Sequence, residues 1–223
     1  MSNSRSSSSR PRRRRRLGPL RLTITVLLCA VAAIAGTWTV STYLSQQAYP
    51  EDMRGNAVIL PGLSEAVKEK TDAVSQVQRM TLRVPSTGLS VPLGELNEVD
   101  GVIDPPGFSS AYLVRNFGVS LDRAAVGTVF AVMHSCRGGA VCPGNYLIDV
   151  NKGTASVATG ADVYLGGLHY RVTGSKKVYK PDVHADTDIW ANIPGRLVLL
   201  TCLQVPSQTA SIDNMVITAQ LDG

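Results

Sequence analysis

Hydrophobic and polar positions divide the chain into three textures. Residues 22–44 run 23 positions without a charge. Residues 64–80 (SEAVKEKTDAVSQVQRM) place Ala66, Val67, Ala73, Val74 and Val77 near one face at helical spacing, with Ser64 as a suitable N-cap. From Thr81 the apolar residues come in short β-prone runs broken by Gly, Pro, Asn and Asp. These runs predict strands over 81–84, 89–93, 128–134, 146–150, 162–165, 168–173, 177–179, 197–202 and 215–221. The Gly166-Gly167 pair between two of them is a hairpin signal. Residues 107–123 and 182–193 are less regular and read as loops with short helices. Many short strands over about 140 residues predict an all-β closed barrel or sandwich. No internal repeat is evident.

Charge changes the reading of the N-terminal third. Arg5, Arg10, Arg12 to Arg16 and Arg21 are eight of the 22 basic residues, and no acid precedes Glu51. The remainder carries 22 − 8 = 14 basic against 17 acidic residues, so the basic balance belongs to a tail rather than to a domain. That removes the support for nucleic-acid binding that a basic chain would otherwise carry. An uncharged stretch of 23 residues is long enough to cross a hydrocarbon core of about 30 Å as a helix. Trp38 and Tyr43 sit where an interfacial aromatic belt belongs, and the arginines orient the N-terminus inside. A cleavable signal peptide is the alternative. The stretch exceeds a typical apolar core of about 7–15 residues, which favours an uncleaved anchor. The resulting organisation is a disordered basic cytoplasmic tail (1–21), a transmembrane signal anchor (22–44), an extracytoplasmic stalk with a helix (45–80) and a folded domain (81–223). The protein is then expected in the cell membrane, single-pass, with its domain outside.

Export gives the cysteines meaning. Cys29 lies in the apolar stretch. Cys136 and Cys142 bracket Arg137-Gly138-Gly139-Ala140-Val141, a turn short enough to close a small disulfide, the default pairing outside the cytoplasm. Cys202 is left as the odd thiol, at the end of the apolar run 197–202. A second run, 128–133, ends in His134. A thiol and an imidazole delivered by two strand ends are the minimum apparatus for cysteine acyl transfer. A buried cysteine behaving as a small hydrophobe is the bland alternative. His134, Cys136 and Cys142 match no common zinc spacing, and His184 among Asp182, Asp186 and Asp188 reads as an acidic surface loop. No metal or cofactor is called for.

His precedes Cys by 202 − 134 = 68 residues, an order unlike that of papain-type proteases. From Thr81 to Leu221 the chain resembles the sortases, the cysteine transpeptidases of Gram-positive cell surfaces. GTVFAVMHS (127–135) is similar to the strand delivering the family's histidine. PGNYLIDV (143–150) and GADVYLGGLHYRVT (160–173) are similar to its central region, and RLVLLTC (196–202) to its TLxTC strand. DNMVITAQL (213–221) is similar to the closing strand, with a DN start like that of actinobacterial class F- or E-type members.

The resemblance implies an eight-stranded barrel with short helices behind one transmembrane helix, and a Cys-His-Arg site. Cys202 would attack a carbonyl within a C-terminal sorting signal of LPXTG type on a surface protein. An amine of a cell-wall precursor or of another protein would then take the acyl group. His134 would move the protons; apart from the resemblance, Thr201 reads either as orienting the cysteine's neighbourhood through its hydroxyl or as a residue that simply suits a strand. The family's arginine falls near Asn214, or near Ile212 on the other spacing, and no arginine follows Arg196. Asn214 could donate to an oxyanion without carrying charge. Arg137, Arg171 and Arg115 are the alternative cations. Two further readings stay open: a degenerate domain that binds sorting peptides or wall components without turnover, and an exported cysteine hydrolase.

Overall fold

The computed structural model describes residues 50–58 and 80–223; the basic tail, the apolar stretch 22–44 and the helix read over 64–80 (Met80 apart) lie outside them. Among the described residues no helix is long and apolar enough to cross a membrane. The strands are β1 (Thr81–Val84), β2 (Leu89–Leu96), β3 (Ala111–Val114), β4 (Thr128–Met133), β5 (Ile148–Asp149), β6 (Thr154–Ala155), β7 (Asp162–Leu165), β8 (Leu168–Tyr179), β9 (Arg196–Leu203) and β10 (Asp213–Leu221), with one short helix, α1 (Thr187–Trp190). Eight of them close a barrel in the order β1-β2-β3-β4-β9-β10-β8-β7, and β5 and β6 form a separate two-stranded ribbon. The protein is therefore mostly β, and the choice between barrel and sandwich falls to the barrel.

Side-chain alternation explains which strands read clearly in the sequence. β1 and β7 bury every second residue and leave the others at the surface, as strands with one wet face do. β4 buries all six of its residues. Its inward residues Val129, Ala131 and Met133 join the barrel core, and its outward residues Phe130 and Val132 join a second apolar cluster. β9 does the same, with Leu197 and Leu199 inside and Val198 and Leu200 outside. The outer cluster exists because α1 and the 3₁₀ turn Lys180–Ala185 lie over this face, contributing Val183, Ile189 and Trp190. Phe117, Phe130 and Trp190 meet there with ring centroids 5.1–5.3 Å apart.

Arg196 ties that covering layer down. Its guanidinium, 8% exposed, donates to the carbonyls of Asp188 (2.7 Å), Ile189 (2.9 Å) and Ala191, and to Thr128 Oγ1 (3.1 Å). The chain's last arginine is thus fully engaged at the far end of β9 from Cys202.

β2 runs on to Leu96, the short β6 had no expected counterpart, and three further elements differ from expectation. β3 falls in a segment read as irregular; its four residues are buried on both faces, and a run of four apolar residues carries no period. The strands read over 168–173 and 177–179 are one strand, β8. Gly174 looked like a break, but the β8–β10 register shifts between Thr218 and Ala219, which leaves Thr173 as the extra residue of a bulge. The strand read over 146–150 shortens to β5, because Pro143–Tyr146 forms a 3₁₀ turn first. The Gly166-Gly167 hairpin stands as expected, with Leu165 opposite Leu168 and both glycines at positive φ (57° and 92°), which a side chain would resist.

Candidate active site

β4 and β9 run parallel, with Met133 opposite Thr201. The next residue on each strand is His134 and Cys202. Alternation carries the outer face forward from Phe130 and Val132 to His134, and from Val198 and Leu200 to Cys202. Both side chains therefore arrive on the same face, just beyond the part covered by α1. The pairing is prolonged by side chains: Ser135 Oγ donates to the Cys202 carbonyl (2.5 Å), and Gln204 Nε2 donates to the Ser135 carbonyl (2.9 Å). His134 and Cys202 line one cleft of about 1050 Å³. Cys202 is partly exposed and is the free cysteine among the described residues.

The imidazole is held from two sides. Phe108 stacks on it with centroids 4.3 Å apart at 15°, and Nε2 lies 2.7 Å from the Pro105 carbonyl oxygen. A carbonyl only accepts, so Nε2 carries the proton and Nδ1 holds the lone pair of the neutral ring. Burial lowers the His134 pKa from its ordinary 6.5. The Pro105 bond and Asp104 oppose that shift, and Lys180 adds to it. At neutral pH the ring is a neutral base.

The expected disulfide is present, with the Cys136 and Cys142 Cα atoms 5.4 Å apart. Asn145 fastens its loop: Oδ1 accepts from Cys136 N (2.8 Å) and Cys142 N (2.9 Å), and Nδ2 donates to the Cys136 carbonyl (3.0 Å). Residues 50–58, placed by sequence in the stalk, pack against the same loop. The Asp52 carboxylate, 3% exposed, accepts from the amides of Arg54, Asn56 and Val141, each at 2.8 Å. Burial alone would raise its pKa, but these bonds outweigh it and hold the carboxyl well below the usual range. Asn56, Ala57 and Val58 thereby form one wall of the cleft.

The remaining sequence candidates separate. Asn214 stands opposite Cys202 in the β9–β10 ladder, so the two side chains share a face with Cβ atoms about 4.5–5.5 Å apart. Ile212 is at the surface, 46% exposed. Arg137 lines the cleft. Arg171 does not: it pairs with Gln220 in register and is held by Asp222 (2.7 Å) and Asp162 (3.2 Å) at the opposite end of β10. Arg115 lies beside Asn97. Thr201 points away from the cleft. Its hydroxyl is buried without a hydrogen-bond partner, against Gly144, whose amide donates to the His134 carbonyl (2.8 Å). Thr201 therefore bears on the turn beneath His134 and not on the thiol. His169 stacks on Tyr164 and bonds Asp162, apart from the cleft residues.

Four contributors had escaped notice. Lys180 and Gln204 could have been found, since each continues the alternation of its strand onto the cleft face. Pro105 and Phe108 could not, because a loop brings them in.

The molecule is a closed eight-stranded barrel that presents a thiol and an imidazole from parallel neighbouring strands. No protein-family model matches the chain, and no curated protein matches it. Similar solved structures include sortase A of Listeria monocytogenes (17% identity, covering 65% of this chain and 86% of that one, TM-score 0.47). Others are a lid mutant of sortase A from Corynebacterium diphtheriae (14%, 65% and 69%, 0.47) and a sortase D5 transpeptidase of Clostridium perfringens (13%, 73% and 91%, 0.44).

Proposed function

We propose that this protein is a membrane-anchored, sortase-like cysteine transpeptidase. One observation carries the reading: the parallel β4–β9 register delivers His134 and Cys202 side by side into one cleft. In the proposed reaction His134 Nδ1 takes the thiol proton. The Cys202 thiolate attacks the carbonyl of a sorting-signal peptide bond, giving a tetrahedral oxyanion. Collapse breaks the C–N bond, and the imidazolium returns the proton to the departing amine, leaving a thioester. The neutral ring then deprotonates an incoming amine, which takes the acyl group and releases Cys202. The Asn214 amide is the nearest in-register donor for the oxyanion. The substrate is proposed to be a surface protein bearing an LPXTG-like signal, and the amine to come from the wall or from another protein.

The test is incubation of the full-length protein with a panel of LPXTG-type peptides, with and without an amine, against Cys202→Ala. Mass spectrometry separates transfer from hydrolysis. Equal behaviour of the two proteins across the panel refutes the reading. An asparagine rather than a cation opposite the thiol favours a second one, a binding domain without turnover. A thiol alkylated with an ordinary pKa near 8.5 supports binding, and fast alkylation at neutral pH supports chemistry.

A further inference from the structure

Among the described residues, the charged side chains that line the cleft are Arg137 and Lys180, and no carboxylate joins them. Arg137 is held in place from two directions. Its Nε donates to Gln204 Oε1, and its Nη1 donates to the Gln208 carbonyl on the β9–β10 loop. Its Nη2 is buried and has no acceptor. Both engaged partners are neutral, and Arg137 forms no ion pair with any described residue. A guanidinium so placed keeps its charge uncompensated, and a low-dielectric wall strengthens its pull on an anion. Gln208 Oε1, on the same loop, is likewise buried without a partner.

Position makes the charge useful. Gln204 follows Cys202 by two residues on the same face, a step of about 7 Å along the strand. Arg137 rests on Gln204, and it stands in the wall shared by the cleft and an adjoining cavity of about 360 Å³. The charge therefore borders the cleft beside the segment that follows the thiol, on the wall along which a substrate held at Cys202 would lie.

We propose that Arg137, with Lys180 reinforcing it, forms a carboxylate subsite that selects substrates carrying an acid near the reacting carbonyl. The inference deepens the proposed function and rests on it for the word substrate. The carboxylate belongs either to an Asp or Glu of the acyl donor or to the incoming amine. In either case the uncompensated charge of the guanidinium, with the Lys180 ammonium, would attract it to this wall of the cleft.

The experiment reads the subsite through Cys202 itself. The full-length protein is labelled with 3-maleimidopropionate and, separately, with its neutral amide, and the rates are followed on the Cys202 peptide by mass spectrometry. An uncompensated guanidinium in the wall of the same cleft makes the anionic reagent faster by roughly tenfold relative to the same pair on a free thiol. That ratio falls several-fold in 1 M salt and in Arg137→Gln, while Arg137→Lys keeps most of it. A wild-type ratio equal to that of a free thiol, or one indifferent to salt, overturns the proposal without any variant having to fold.

Turnover then separates the two sources. Donor peptides differing by Glu or Gln beside the scissile bond are compared, as are an amino acid and its amide as acceptors. Preference for the acidic donor assigns the subsite to the sorting segment, and preference for the free amino acid assigns it to the nucleophile. Indifference to both in a protein that turns over overturns the proposal. A protein without turnover that still shows the maleimide ratio overturns the transpeptidase reading and leaves the anion subsite standing.

Discussion

Replacing Phe108 by alanine tests the site's construction most directly. Phe108 is 3% exposed and packs with Val58, Cys136 and Cys142 in a small cluster apart from the barrel core. It also stacks on His134. Truncating a buried phenylalanine costs about 3–5 kcal/mol. This cluster borders a wide cleft from which water can refill the space, so the low end, about 3 kcal/mol, applies. For a domain of this size that lowers the melting temperature by roughly 6–12 °C. A second effect follows from the ring. Folded His134 titrates below 6.5, so as pH falls the unfolded chain takes up a proton first. Its contribution to stability is complete above pH 6.5 and is lost as pH drops toward the folded value. Admitting water in place of Phe108 raises the folded value toward 6.5 and flattens that slope. Thermal denaturation of wild type and Phe108→Ala from pH 5 to 8 measures both. A melting temperature lowered by less than about 2 °C, or an unchanged slope below pH 6.5, refutes the account of how His134 is held.

Thr201→Val replaces a buried hydroxyl that has no partner with a methyl of the same shape. It is expected to stabilise by about 1 kcal/mol in urea denaturation and to leave Cys202 alkylation unchanged; altered thiol reactivity would return Thr201 to the site. Gly144→Ala puts a Cβ 2.0 Å from Thr201 Oγ1 and 2.8 Å from the His134 carbonyl, and is expected to cost about 2–3 kcal/mol. Adding Thr201→Ala should recover only part of that, because the backbone contact remains. Arg196→Met strips the donors from three carbonyls of the layer around α1 and should cost about 3 kcal/mol. A urea midpoint close to wild type would show that the layer holds without it.

Legibility followed burial and strand length. β4 and β9 were plain as apolar runs because both faces of each are covered, and His134 and Cys202 stood out at the ends of those runs. β1 and β7 showed by alternation, and the β7–β8 turn by two glycines that its backbone requires. β3 was hidden because four buried residues offer neither period nor length. The bulge at Thr173 was hidden because a glycine inside a strand looks like its end. Strand register brings Cys202 and His134, both legible in the sequence, to one cleft and sets Asn214 opposite Cys202, while Asn214 is not among the residues that line that cleft. What loops supply was not legible: the carbonyl of Pro105, the ring of Phe108 and the docking of Asp52 on the disulfide loop depend on chain returns that no local pattern encodes. Arg171 shows the converse error. Its place on a strand next to the closing one made it a candidate, but position along the strand sends it to the wrong end.

Strand direction explains why one rim of the barrel collects the chemistry. β4 and β9 are parallel, so both end at the same edge, and β8, antiparallel to β10, ends there as well. β10 begins where those three finish. Three consecutive consequences follow at that rim: His134 and Cys202 emerge together, Asn214 starts the return strand opposite the thiol, and Lys180 leaves β8 toward the cleft. The loops that continue from these ends then have to form its walls. The loop after β4 is stapled by Cys136–Cys142, the loop after β9 is latched to it through Arg137, and Asp52 binds the first loop from outside. His134 and Cys202 are thus fixed by backbone register, whereas Arg137 and the other loop-borne groups of the cleft lie on connected loops. On the proposed function, changes at Arg137 or Lys180 should therefore alter which substrate is taken without moving the thiol from the imidazole, and the barrel strands should tolerate far less change than the loops.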